Sequence, residues 1–125
     1  MTPALMTRLG AGLMFLAVGL GAFGAHALKA RLEPDMLAAF EVGVRYQVYH
    51  ALALLLLAAL HGPGKAAWCF TAGIAFFSGS LYILALTGVR RWGAVTPIGG
   101  LFFLAGWLIL LFHRAPSSVL DRFNL

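Results

Sequence analysis

Glu41 and Arg45 stand one helical turn apart with the acid on the N-terminal side, the favoured spacing and orientation for an ion pair within a helix. His26 and His50 could carry protons, or could ligate a haem or a metal ion if two helices brought them to one depth. Tyr46 and Gln47 add a phenol and an amide beside them. Ser78 and Ser80 offer hydroxyls, but no GxSxG turn holds them and no acid or base neighbours them in sequence. Serines in apolar helices bond back to their own backbone, so neither is read as a nucleophile. CxxCH and HExxH patterns are both absent, and Cys69 is the single cysteine, which excludes an intramolecular disulfide. Its place inside an apolar run reads as a buried, inert thiol. No catalytic residue, cofactor or metal is assigned on these grounds.

Five of these groups fall in residues 40–60, FEVGVRYQVYHALALLLLAAL, the one apolar span that carries acid, base, amide and imidazole together. At about 100° per residue, Glu41 and Arg45 share one side, Gln47 and His50 lie on another, and Tyr46 and Tyr49 fall between. Intramembrane ionisable groups are costly in contact with hydrocarbon. The first half of this span is therefore expected to be ringed by protein, interface or water, and to act as the hub of the molecule.

The elements that must position these groups are membrane helices. Of 125 residues, 62% are hydrophobic and 10% charged, and the mean hydropathy is +0.91; soluble domains are about 45–50% apolar and 25% charged. Runs of about 20 apolar residues cross a ~30 Å hydrocarbon core. The fold class expected is an all-α membrane protein, an antiparallel bundle of four transmembrane helices in a single domain over 1–125, with spans at about 9–28, 42–60, 66–87 and 95–113. The net charge of +5 does not indicate a nucleic-acid partner, because the basic residues punctuate the ends of apolar runs and form no patch with interleaved aromatics.

Ala25-His26-Ala27 mimics a signal-peptidase site, but the apolar core before it is long for a signal peptide, so a retained helix is expected. Ala17, Gly21 and Ala25, with Gly24 beside them, give this helix a face of little bulk suited to close packing. Pro34 and Asp35 suit a helix start, HGPGK at 61–65 is a turn, and Thr96-Pro97 reads as N-cap and first residue of the last helix. Gly99, Gly100 and Gly106 again permit close approach, while Trp107, His113 and Arg114 mark the exit. The segment 115–125 is too short for a domain.

Antiparallel passes gather His26, Glu41, Arg45, Tyr46, Gln47, His50, Tyr82, Thr87 and Thr96 on one side, leaving Leu, Ala, Phe and Ile on the other. Lys and Arg are nearly balanced: Arg8, Lys65, Arg114 and Arg122 on the terminal side, and Lys29, Arg31, Arg45, Arg90 and Arg91 opposite. That balance assigns no orientation.

GAFGAHALKA (21–30), YQVYHALALLLL (46–57), FSGSLYILALTG (77–88) and TPIGGLFFLAGW (96–107) occur in an order that resembles the domain of unknown function 423 family, small membrane proteins related to eukaryotic transmembrane protein 256. The resemblance covers all four spans and implies a multi-pass protein of the bacterial inner membrane. It supplies no activity, substrate or catalytic residue. Glu41 and Arg45 lie just outside its blocks.

The function expected is a non-enzymatic membrane scaffold or binding protein whose polar cluster comprises His26, Glu41, Arg45, Tyr46, Gln47, His50, Tyr82 and Thr96. Its expected partners are membrane lipids and further copies of itself, met at the glycine-rich faces. One alternative is a proton or small-solute transporter or channel component, which would need several copies. Another is a haem- or metal-binding protein using His26 and His50.

Overall fold

A computed structural model describes residues 1–114; the segment 115–125, with Arg122, lies outside the described residues. In chain order come α1 (Pro3–His26), α2 (Pro34–Leu60), α3 (Gly64–Gly73), a π-helical turn (Ile74–Ser78), α4 (Gly79–Thr87) and α5 (Thr96–Leu111). Short 3-10 turns at Leu28–Ala30 and Arg90–Ala94 join the passes. Because α3, the π turn and α4 run on as one interrupted helix, the chain makes four antiparallel passes, each long and apolar enough to cross a membrane.

The ends follow local chemistry. Thr2 accepts the Leu5 N–H at 3.2 Å and Pro3 supplies the first helical residue, so α1 begins earlier than the apolar run suggested. Pro34 opens α2 as expected. At about 1.5 Å per residue α2 exceeds the ~30 Å hydrocarbon core, so its first turn lies outside. There Asp35 meets Arg90 at 2.7 Å, and the guanidinium's hydrogen bond holds the carboxyl below its ordinary range.

His61 closes α2 in the left-handed region at φ 51°. Its N–H reaches the Ala58 carbonyl, and Gly62 donates to the Leu57 carbonyl at 2.8 Å. This is the paired closure that usually places glycine where His61 stands. A left-handed β-carbon costs about 1–2 kcal/mol, and glycine's extra unfolded-state entropy offsets part of it. His61→Gly is therefore expected to raise thermal stability in detergent by up to about 1 kcal/mol.

Small residues set how closely the passes approach. The buried seam of α1 is Met6, Gly10, Ala17 and Gly24. A β-carbon on Gly10 would come within 2.9 Å of the Ala51 carbonyl oxygen, and one on Gly24 within 2.9 Å of the Phe40 ring. Of the face expected from sequence, Ala17 and Gly24 are buried, Gly21 is partly covered and Ala25 is exposed. The seam repeats every seven residues from Gly10, as a long side-by-side helix contact requires. On the other flank Gly99 lies against the backbone of Phe77, and Gly106 against Phe70 and half-buried Cys69. These glycines face into the chain's own helix contacts.

Met6, Leu54, Leu57, Phe70, Ile74 and Phe103 form the larger part of the core, in the half nearer the termini. A smaller cluster of Leu28, Phe40 and Ala85 closes the other half. α2 and the third pass are the inner helices, with 39% of their most apolar stretches buried, against 17% for the outer two.

Candidate functional site

The polar side chains meet between these two cores. Gln47 is 3% exposed and joins three passes. Its Nε2 donates to the Leu13 carbonyl in α1 at 2.7 Å, and its Oε1 accepts from the Tyr82 hydroxyl in α4 at 2.6 Å. Only this amide orientation fits, because the carbonyl can only accept. Ser78, at the end of the π turn, donates to the Gly43 carbonyl of α2 at 2.6 Å. Ser80 donates to the Phe77 carbonyl at 2.9 Å, which leaves the Thr96 hydroxyl to donate to Ser80 across 2.6 Å.

His50, 4% exposed, lies deeper. Its Nδ1 is 2.8 Å from the Tyr46 carbonyl oxygen and its Nε2 is 3.0 Å from Nε1 of Trp107. A carbonyl can only accept and an indole can only donate, so the ring is neutral with its proton on Nδ1. Phe103 stacks on it with centroids 3.6 Å apart and planes 8° from parallel. A second proton on the imidazole would have to displace Trp107. Among the described residues, no buried side-chain nitrogen or oxygen lacks a partner.

The expected cluster thus divides. Gln47, His50, Tyr82 and Thr96 join it, and Tyr46 contributes its carbonyl while its ring lies half-exposed against Phe77. His26, Glu41 and Arg45 are exposed, and Thr87 bonds back to the Ile83 carbonyl. Glu41 and Arg45 form no ion pair with each other; among the described residues the ion pair is Arg90 with Asp35. The expected Glu41–Arg45 pair is therefore corrected: the spacing permits it, but both side chains are exposed and no nitrogen–oxygen approach within 4.0 Å joins them.

The proposed His26–His50 ligation fails on register. Gly24 opposite Phe40 and Gly10 opposite Ala51 put His26 and His50 roughly 18–22 Å apart along the bundle at ~1.5 Å per residue. Both nitrogens of His50 are also already bonded. No group of three or more His, Cys, Asp or Glu side chains among the described residues is placed to hold a metal ion.

Ser78, Trp107 and Thr96 also make contacts other than those expected from sequence. Ser78 bonds across to α2 rather than to its own helix. Trp107, read as an interfacial marker, is the donor to His50; a buried imidazole acceptor opposite an indole was the available signal. Thr96 places its hydroxyl on Ser80 and caps nothing. The π turn, a distortion often found at functional sites, has no local sequence mark.

Beside His50 a cavity of about 420 Å³ opens between α2 and α5. Tyr46, Phe77, Pro97, Gly100, Phe103 and Trp107 line it, so its walls are almost wholly carbon.

Residues 20–100 match the family model described as "Protein of unknown function (DUF423)". A UPF0382 membrane protein of Staphylococcus haemolyticus is 48% identical over 108 residues, covering 82% of this chain and 88% of its own. The UPF0382 membrane protein YwdK of Bacillus subtilis is 46% identical over 110 residues, covering 82% and 89%. No solved structure matches the chain.

Proposed function

The chain belongs to the DUF423 family of membrane proteins of unknown function, and from that premise we propose a non-enzymatic binding scaffold of the bacterial inner membrane that holds a lipid's hydrocarbon chain in its lateral groove. The observation that carries this reading is the carbon-lined cavity over Tyr46, Phe77 and Phe103, set against a polar frame with no free buried group. A general acid, base or nucleophile must have a lone pair or proton to give. In the frame, both ring nitrogens of His50 are bonded, and the hydroxyl protons of Ser78 and Ser80 go to backbone carbonyls rather than to a base. Beyond His50, Ala53, Leu54, Leu57 and Phe70 pack without polar groups, which supports a closed frame over a conduit. At bilayer depth the surrounding medium is acyl or isoprenoid chains, and a carbon-lined recess between helices is the shape that takes one.

Gly100 borders the groove with 4.0 Å to its nearest neighbouring side chain, so Gly100→Leu fills the recess without striking the backbone. Native mass spectrometry of protein released from membranes is expected to show retained lipid in the wild type and several-fold less in Gly100→Leu of equal thermal stability. Equal retention by both proteins overturns the groove as the site. Catalytic activity abolished by His50→Ala in folded protein, or proton or solute flux above the empty-vesicle leak, overturns the scaffold.

A further inference from the structure

We propose that the outer face of α2 is the dimerisation surface of this protein, where Glu41 and Arg45 of one copy pair with Arg45 and Glu41 of a second. Leu60 ends α2 just before the HGPGK turn, and ~30 Å of hydrocarbon counted back from it at ~1.5 Å per residue reaches residue 41. Glu41 therefore stands at the boundary and Arg45 about 6 Å inside it.

Glu41, Arg45, Tyr49, Leu52, Leu56 and Ala59 are all exposed, and at 100° per residue they fall within about 80° of arc. Gly43, Gln47, His50 and Leu54 form the opposite, buried face. An acid and a base on the outside of an inner helix, at this depth and unpaired among the described residues, are costly against acyl chains; such groups are found facing protein or water.

A second copy answers both charges at once. Two copies in one membrane run parallel about a two-fold axis, so each residue meets its counterpart's neighbours reciprocally. Helical side chains lean toward the N-terminus, which carries the Arg45 guanidinium up to the level of the partner's Glu41. Tyr49, Leu52, Leu56 and Ala59 continue the contact down the seam at three- and four-residue steps, the spacing that parallel helices need. This surface is separate from the groove, which lies over Tyr46 and faces α5.

A charge exchange tests the proposal in full-length chains carrying two different tags and reconstituted in uncharged lipid. Wild-type chains are expected to co-purify. Chains with Glu41→Arg alone, or with Arg45→Glu alone, are expected to lose at least ten-fold in self-association at unchanged thermal stability. Mixing the two variants is expected to restore the pair, because each arginine then faces a glutamate. Disulfide capture in a Cys69→Ala background is expected to peak at Leu52→Cys and Ala59→Cys and to be absent at outward α1 positions such as Val18→Cys. A wild-type chain that stays monomeric, single variants that associate as well as wild type, or a mixture that fails to recover overturns the interface. So does binding of anionic lipid that is lost with Arg45→Glu while no pairing between chains is seen.

Discussion

Gly99→Ala destabilises the protein strongly, although alanine is the better helix former. Replacing glycine by alanine inside a helix gains roughly 0.5–1 kcal/mol from backbone entropy. At Gly99 the new methyl would strike the Phe77 backbone nitrogen and stand 2.6 Å from its β-carbon. A flexible side chain could yield, but the backbone of the π turn cannot move without carrying Ser78 off the Gly43 carbonyl and Ser80 off Thr96. Overpacking a close contact costs about 1–3 kcal/mol, and here the obstacle is main chain, so a net loss at the upper end of that range is expected. Tryptophan-monitored unfolding in mixed micelles measures it. Gly19, with nothing within 4 Å, is the control, and Gly19→Ala is expected to be neutral or slightly stabilising. Wild-type stability in Gly99→Ala would mean that α5 does not approach the π turn this closely.

The second large effect is expected at Gln47. Gln47→Leu keeps the volume but leaves the Tyr82 hydroxyl without its acceptor and removes a donor from the Leu13 carbonyl. Interhelical hydrogen bonds in membrane proteins average about 0.6 kcal/mol, whereas a buried polar group left without a partner costs about 1–3 kcal/mol. The second figure governs here, because Gln47 is almost fully buried and Tyr82 half so. Tyr82→Phe removes the stranded hydroxyl. The double variant is therefore expected to be less destabilised than the sum of the singles, by about 0.5–1.5 kcal/mol. Strict additivity in the unfolding cycle would show that the amide and the phenol are not partners.

The aromatic side of the frame holds His50 from two further passes. Its ring sits between Phe103 and Phe70 and accepts from Trp107, joining α2 to the third pass and to α5. The neutral tautomer is the form compatible with both of its bonds.

Much of this was legible from local chemistry. Four apolar runs, Pro34 at the start of α2 and the HGPGK turn are signals carried by single residues and their immediate neighbours, so the passes and turns could be placed without knowing the fold. Helical periodicity also separated Glu41 and Arg45 from Gln47 and His50. It could not say which pair faces inward, because four polar positions around one helix satisfy either choice. Burying Gln47 and His50 depended on a carbonyl in α1, a phenol in α4 and an indole in α5 arriving at matching heights.

What the sequence determined by itself is therefore what depends on length and neighbours: a membrane protein, four helices and their turns. Tertiary structure alone decided the register of α1 on α2, the π turn under Gly99, the cross-helix bonds of Ser78 and Trp107, and the exposure of Glu41 and Arg45. The physical reason is range. Helix formation and membrane insertion follow from contacts within a few residues, whereas a buried hydrogen bond needs two groups 16 to 57 residues apart to meet within 3 Å, and only the packed bundle fixes where they meet.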